Sequence, residues 1–136
     1  MKIQYAVTLA MLAGIGLGVV TVQRLHAQAK PRVYSISEID ISNPDAYTKE
    51  FVPVAQAALK AGGGRLLAAG AATTIVGEPP KSRVTVWVYD SMEELQASRN
   101  SAEYKEALKI GDKYAKFRTF AVPAQRWQHE RGSWSP

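Results

Sequence analysis

Two segments of the chain have the hydrophobic pattern and composition of β-strands. The segment VYSISEIDI, Val33–Ile41, is rich in β-branched residues and is followed by turn-forming residues, so we expect a first strand there. Its apolar residues fall on both parities, which predicts that both faces of this strand are covered.

The clearest strand pattern is RVTVWVY, Arg83–Tyr89. One of its faces is purely aliphatic and consists of Val84, Val86 and Val88. The opposite face is polar and aromatic and consists of Arg83, Thr85, Trp87 and Tyr89. We expect the helices to cover the valines, which leaves the aromatic face in need of a partner.

Helical patterns follow each of these strands. Asn43 can cap a helix that has Pro44 at its first position and an apolar stripe of Tyr47, Phe51, Val54 and Ala58, with a kink at Pro53. The capping box at Ser91 and Glu94 begins a short helix. A similar arrangement at Asn100 and Glu103 begins a longer helix toward Tyr114.

The glycines of KAGGGRLLAAG, residues 60–70, could form a phosphate loop or could end the first helix. A phosphate loop is followed by a helix, whereas these residues lead toward a β-branched run at 73–76, which indicates a strand. We therefore assign the glycines to the helix end. A last strand is expected at 117–122. The order of elements predicts a ferredoxin-like split βαβ fold of the α+β class, with an antiparallel sheet of about four strands and helices on one face.

The ends of the chain differ in composition from its middle. Residues 1–29 combine Lys2, a long uncharged apolar run and the small-residue end Ala27-Gln28-Ala29, which is typical of a cleaved export signal; an uncleaved membrane anchor is the alternative. Residues 30–123 then form one domain and 124–136 a polar tail. The protein is therefore expected in the periplasm or outside the cell.

Charge and residue counts exclude several functions. The chain has a net charge of +5, and the smaller excess left after loss of the signal is too weak to indicate nucleic-acid binding. Cysteine is absent, which excludes disulfides and thiol nucleophiles. Beyond the signal the only histidine is His129, in the tail, so we predict neither a metal site nor a bound cofactor.

Four blocks together resemble the exported branch of the family called domain of unknown function 1330: EIDISNPDAY, AGGGRLLAAG, EPPKSRVTVWVYDSMEE and RNSAEYKEALKIGDKYAKFRTFAV. This resemblance implies a dimeric α/β barrel, in which two ferredoxin-like sheets face each other and enclose a cavity. Its wider superfamily includes cofactor-independent monooxygenases, haem-degrading enzymes and isomerases, whereas the family itself implies no particular activity.

Candidate site residues lie on the polar face of the central strand. We expect Arg83, Trp87 and Tyr89, with Arg65 beside them, to bind an aromatic or carboxylate-bearing ligand. Glu38 is a candidate general base; the alternative is a structural ion pair with Arg65, Arg83 or Arg118. No catalytic residue is assigned beyond this candidate.

Three functions remain open at this point. The first is an exported homodimer that binds a small, partly apolar or aromatic molecule in the barrel cavity. The second is a cofactor-independent oxygenase or isomerase, and the third is a non-catalytic structural or interaction protein. A membrane would be a partner only through an uncleaved signal.

Overall fold

A computed structural model describes residues 30–125, and these residues form a four-stranded antiparallel sheet with helices on one face. The strands are β1 (Val33–Ile41), β2 (Arg65–Gly70), β3 (Arg83–Tyr89) and β4 (Ala115–Pro123). Their order across the sheet is β2-β3-β1-β4. This arrangement confirms the predicted ferredoxin-like α+β fold. The predicted signal and most of the predicted tail lie outside the described residues.

Helix α1 connects β1 to β2 and consists of three contiguous segments: Pro44–Ala46, a π-helical Tyr47–Phe51, and Val52–Ala61. It begins as predicted, because the Asn43 side chain accepts a hydrogen bond from the Ala46 amide at 3.2 Å. It ends at the predicted glycines, where Gly63 has φ of +91°.

The π-helical turn changes which side of α1 faces the sheet. The extra residue per turn brings Tyr47, Phe51 and Ala55 to the buried side. The predicted inward position of Val54 is therefore wrong, since Val54 is 41% exposed. Pro53 is the second residue after this wide turn. A proline has no amide hydrogen, so Pro53 cannot donate the backbone hydrogen bond that a regular helix makes at this position.

Helices α2 (Met92–Asn100) and α3 (Ala102–Gly111) connect β3 to β4. Ser91 caps α2 as expected, accepting a hydrogen bond from the Glu94 amide at 3.1 Å. The cap of α3 is Ser101 rather than Asn100: its hydroxyl accepts from the Tyr104 amide at 3.2 Å. Both helices were predicted, and only the second cap differs, by one residue.

The second strand does not lie where the β-branched run predicted it. β2 is Arg65–Gly70, which pairs with β3 through Leu66 opposite Trp87 and contains a bulge between Leu66 and Ala68. The run at 73–76 lies in the following loop, where Ile75 is 87% exposed. Pairing beside the buried Trp87 prevails here over the β-propensity of the loop residues.

The assignment of the two sheet faces was wrong. Trp87 and Tyr89 lie on the helix-covered face, where they pack with Val33, Leu59 and Tyr104 in one apolar cluster. The valines of β3 lie on the opposite, open face, in register with Tyr34, Ile36 and Glu38 of β1. The physical reason is size: the helix layer leaves space that bulky rings fill better than valines.

Candidate functional site

A cavity lies between the helices and the covered face of the sheet, and it separates two apolar clusters. The cluster at one end includes Leu59, Trp87 and Tyr104, and the cluster at the other end includes Tyr47 and Phe51. The cavity volume is about 50 Å³. A single water molecule requires only roughly 10–15 Å³ on this scale, whereas a cavity that binds benzene has about 150 Å³, so an aromatic ligand requires the lining side chains to move outward.

The sheet supplies a polar floor to this cavity. Ser37 on β1 and Thr85 on β3 are register partners, and both line the cavity. Ser35, two residues before Ser37, is fully buried on the same face. Ser37 is hydrogen-bonded to Thr119 of β4 at 2.8 Å. Hydroxyl groups at the centre of a sheet otherwise packed against helices are unusual, because each must find a partner away from water.

The π-helical turn of α1 supplies the aromatic wall of the cavity. The rings of Tyr47 and Phe51 lie 5.2 Å apart between centroids, and Phe51 lies 5.1 Å from Phe117 of β4. Gly111 at the end of α3 makes room for this wall, since a Cβ atom there would lie 2.7 Å from the Phe51 ring. π-Helical turns occur frequently at functional sites.

Two arginines also line the cavity. Arg83 enters from β3 and Arg99 from α2, and the Nε atom of each is buried without a hydrogen-bond partner. Arg99 is held in place: it donates to the Ser35 hydroxyl at 2.9 Å and to the Tyr104 hydroxyl, and its guanidinium lies 4.7 Å from the Tyr104 ring centroid.

The pKa of Tyr47 is affected both by burial and by the positive charge of Arg83. Burial raises the pKa of its phenol, because the phenolate would lose its hydration, while the positive charge of Arg83 acts in the opposite direction. A neutral phenol therefore faces the cavity at neutral pH. Chemically, the lining offers hydroxyl donors, two cations and flat apolar walls.

No metal site is formed by the part of the chain between residues 30 and 125, where no three His, Asp or Glu side chains lie close enough to hold an ion. Over the same residues, no helix is long and apolar enough to cross a membrane.

The family described as domain of unknown function 1330 matches residues 32–125. The chain belongs to this family. No curated protein matches the sequence. The family match confirms the resemblance noted from the four sequence blocks, while membership of the exported branch stays a prediction.

Solved structures share the fold at low identity. The RPA0582 protein of unknown function from Rhodopseudomonas palustris is 15% identical, with a TM-score of 0.53 over 78% of this chain and 92% of that chain. SnoaB, a cofactor-independent oxygenase from Streptomyces nogalater, is 9% identical, with a TM-score of 0.54 over 74% and 99%. At such identities the likeness shows the fold alone.

A third solved structure is described as dimeric with a ferredoxin-like fold, and comes from Bacteroides fragilis. It is 16% identical, with a TM-score of 0.44 over 68% of this chain and 96% of that chain.

Two of the four predicted ligand-binding residues meet at the cavity of this family member. Arg83 and Trp87 both line it. Tyr89 does not; it is fully buried behind the cavity and shares a 3.3 Å hydrogen bond with Ser98. Trp87 and Tyr89 share a face because they lie two residues apart, but only Trp87 reaches the open space.

Arg65 and Glu38 lie away from the cavity. Arg65 is at the surface, where it donates to Asp90 at 2.8 Å, and this ion pair lowers the pKa of the Asp90 carboxyl. Glu38 lies on the open face and pairs with Arg118 at 2.9 Å. The structural ion pair considered for Glu38 is therefore the arrangement observed, and the candidate base does not face the cavity.

Several residues of the site were missed from the sequence. Ser35 and Ser37 carried a usable signal, because they share the parity of the apolar Val33 and Ile39 and must therefore lie on the same face. Arg99 carried none: one arginine in a polar helix resembles any surface residue until the fold places it above Tyr104.

Proposed function

We propose that the protein binds a small, partly apolar or aromatic molecule in the cavity between its sheet and its helices. The observation that carries this proposal is the gap between the two apolar clusters, which has flat rings on its walls and hydroxyl groups on its floor. Ligand sites are typically concave, mostly apolar and provided with a few convergent polar groups. The sequence-based hypothesis placed the ligand between two sheets; the proposal now moves it inside one subunit.

A cavity-filling substitution tests this proposal. Ala55 is buried on the cavity side of α1, and Ala57, two residues further along, is exposed. We expect Ala55→Leu to abolish the stabilisation of the protein by small aromatic probes in a thermal-shift assay and by calorimetry. Ala57→Leu is the matched control and is expected to bind like the unmodified protein. Equal binding by both variants would overturn the proposal.

A cofactor-independent oxygenase or isomerase in the same cavity is the second candidate. It is favoured by the buried phenol of Tyr47, which faces a cation across an enclosed space, and by the fold shared with SnoaB. Oxygen consumption with a panel of electron-rich phenols, compared between the protein and its Tyr47→Phe variant, tests this candidate. If the phenols bind without oxygen consumption, the protein is a binding protein and not an oxygenase. Absence of both would favour a structural or interaction protein.

The proposal also includes a homodimer formed through the open face of the sheet. That face carries Ile36 and the valines of β3, of which Val88 is only 6% exposed, and Phe120 and Val122 beside them are 41% and 45% exposed. This apolar patch, which is bordered by the Glu38–Arg118 ion pair, favours association with a second copy. Light scattering of the processed protein at micromolar concentration measures its molar mass and hence its oligomeric state. A monomer would contradict it.

Export to the periplasm or beyond completes the proposal. It rests on the composition of residues 1–29 and predicts a mature protein that begins at Lys30 or at Gln28. Mass spectrometry of the exported protein identifies its first residue. Retention of Met1 would indicate the membrane anchor instead.

A further inference from the structure

The cavity has two cations and no anion. Among its lining residues Arg83 and Arg99 are positively charged, and none is an aspartate or a glutamate. Within residues 30–125, no carboxylate lies within ion-pair distance of either guanidinium. Each arginine also has a buried Nε–H group without an acceptor. A buried N–H group ordinarily has an acceptor, and a guanidinium cannot lose its charge by deprotonation.

The nearby carboxylates are committed to other cations. Glu38 pairs with Arg118 on the open face, and Asp90 pairs with Arg65 at the surface. Asp40 lies 3.9 Å from Lys81. Transfer of any of these three carboxylates to Arg83 would therefore break an existing pair. The positive charge in the cavity remains uncompensated by the described part of the protein.

The two arginines are held in different ways. Arg99 is fixed by its hydrogen bonds to Ser35 and Tyr104, whereas no hydrogen bond from the Arg83 side chain is made within residues 30–125. Arg83 is opposite Ile39, and Arg99 binds at Ser35, four residues along the same strand. The two cations therefore enter the cavity from different positions along β1.

We propose that the ligand is a small organic anion, with its carboxylate bound by the free guanidinium of Arg83, its body packed against Trp87 and Phe51, and a second oxygen directed at Arg99. This inference rests on the proposed function, because it names the chemical class that the cavity binds. A charge-assisted hydrogen bond in an enclosed site strongly favours a carboxylate over its neutral amide. The influence of Arg83 on the pKa of Tyr47 supports the view that its charge acts within the cavity.

Benzoate and benzamide provide the direct test, because they have nearly the same shape and differ in charge. Calorimetry in a low-chloride buffer at neutral pH is expected to show benzoate binding at least about 10-fold more tightly than benzamide. Arg83→Gln is expected to weaken benzoate binding by roughly 10-fold or more and to leave benzamide binding nearly unchanged. Arg65→Gln, which removes an arginine outside the cavity, is the matched control and should bind benzoate normally.

Unfolding experiments separate a ligand-binding Arg83 from a structural one. Because the free protein gives its side chain no partner, Arg83→Gln should be as stable as the unmodified protein in the absence of ligand, or more stable. Arg99→Gln should be less stable than the unmodified protein, since the contacts of Arg99 to Ser35 and Tyr104 are lost. If Arg99→Gln does not fold, Arg99→Lys, which keeps the positive charge, takes its place. A clear loss of stability in Arg83→Gln, with unchanged benzoate binding, would overturn the inference.

The remaining outcomes distinguish this inference from the function on which it rests. Equal binding of benzoate and benzamide, both abolished by Ala55→Leu, would overturn the anion and leave the cavity as a binding site. Binding of neutral toluene without binding of benzoate would also overturn the anion and leave the cavity as a binding site. Absence of binding by all three probes would overturn both proposals.

Discussion

The two faces of the sheet both mix polar and apolar side chains, although only one of them lies beneath the helices. The covered face, beneath the helices, carries serines, a threonine and an arginine among its rings, whereas the open face carries three valines and Ile36. In a protein whose only task is to fold, the aliphatic side chains would be expected beneath the helices. The difference is consistent with the proposals that the covered face binds a ligand and that the open face meets a second copy of the chain. Both interpretations can be tested on matched residues.

Replacing an aromatic residue on each face should have the largest and most unequal effect. Trp87 is 3% exposed beneath the helices, and Phe120 is 41% exposed on the open face. Trp87→Ala is expected to lower the free energy of unfolding by about 3–5 kcal/mol, because a large buried ring leaves a cavity. Phe120→Ala should affect dimerisation more than the unfolding of a subunit. Chemical denaturation and light scattering of both variants measure the two effects.

Introducing a charge on the open face tests the proposed dimer. Val86→Asp is expected to weaken the dimer by about 2–5 kcal/mol, since the carboxylate would be buried in the interface without a partner. Val54→Asp, the same change at a position on α1 that is 41% exposed, is the control. Sedimentation across a concentration series compares the two. Identical behaviour would show that the open face is not the interface.

Filling the space beside the aromatic wall should disturb the covered face without changing charge. A methyl group at Gly111 would lie 2.7 Å from Phe51 and 2.9 Å from Phe117, so we expect Gly111→Ala to destabilise the protein by about 1–3 kcal/mol and to weaken ligand binding. Gly70→Ala places the same group at the end of β2, where it would meet no atom within 4 Å. Thermal unfolding should show a clearly lower melting temperature for Gly111→Ala than for Gly70→Ala.

Alkaline pH should produce the smallest effect. Burial raises the pKa of Tyr47 above its usual 10.0, so the neutral phenol contributes stability below pH 10 that is lost as the pH rises through the folded-state pKa. Tyr47→Phe should reduce this alkaline loss. Tyr114 is the comparison: its pKa is raised chiefly by its hydrogen bond to Glu50 at the surface, where solvent weakens the effect. Unfolding free energies measured between pH 9 and pH 11 test whether Tyr47 contributes more than Tyr114 to the alkaline loss of stability.

Local signals in the sequence were sufficient for most of the fold. The β-branched residues of β1, the alternation in β3, the caps at Asn43 and Ser91, and the glycines after α1 all act through neighbours close in the chain, and the structure confirms the elements they predicted. They fixed the order of the elements and, with it, the ferredoxin-like topology. The resemblance carried by the four sequence blocks then identified the family.

Which face of the sheet the helices cover was decided only by tertiary packing. Alternation assigns Arg83 and Trp87 to the same face, but it cannot say whether that face meets helices or solvent, because both arrangements satisfy the same period of two. The π-helical turn that rotates Ala55 inward and Val54 outward has no local signature either. The cavity depends on both, and on the contact of Arg99 with Ser35, 64 residues away in the chain. A sequence specifies such long-range contacts only through the packing of the whole domain, which is why the residues of the site were only partly foreseen.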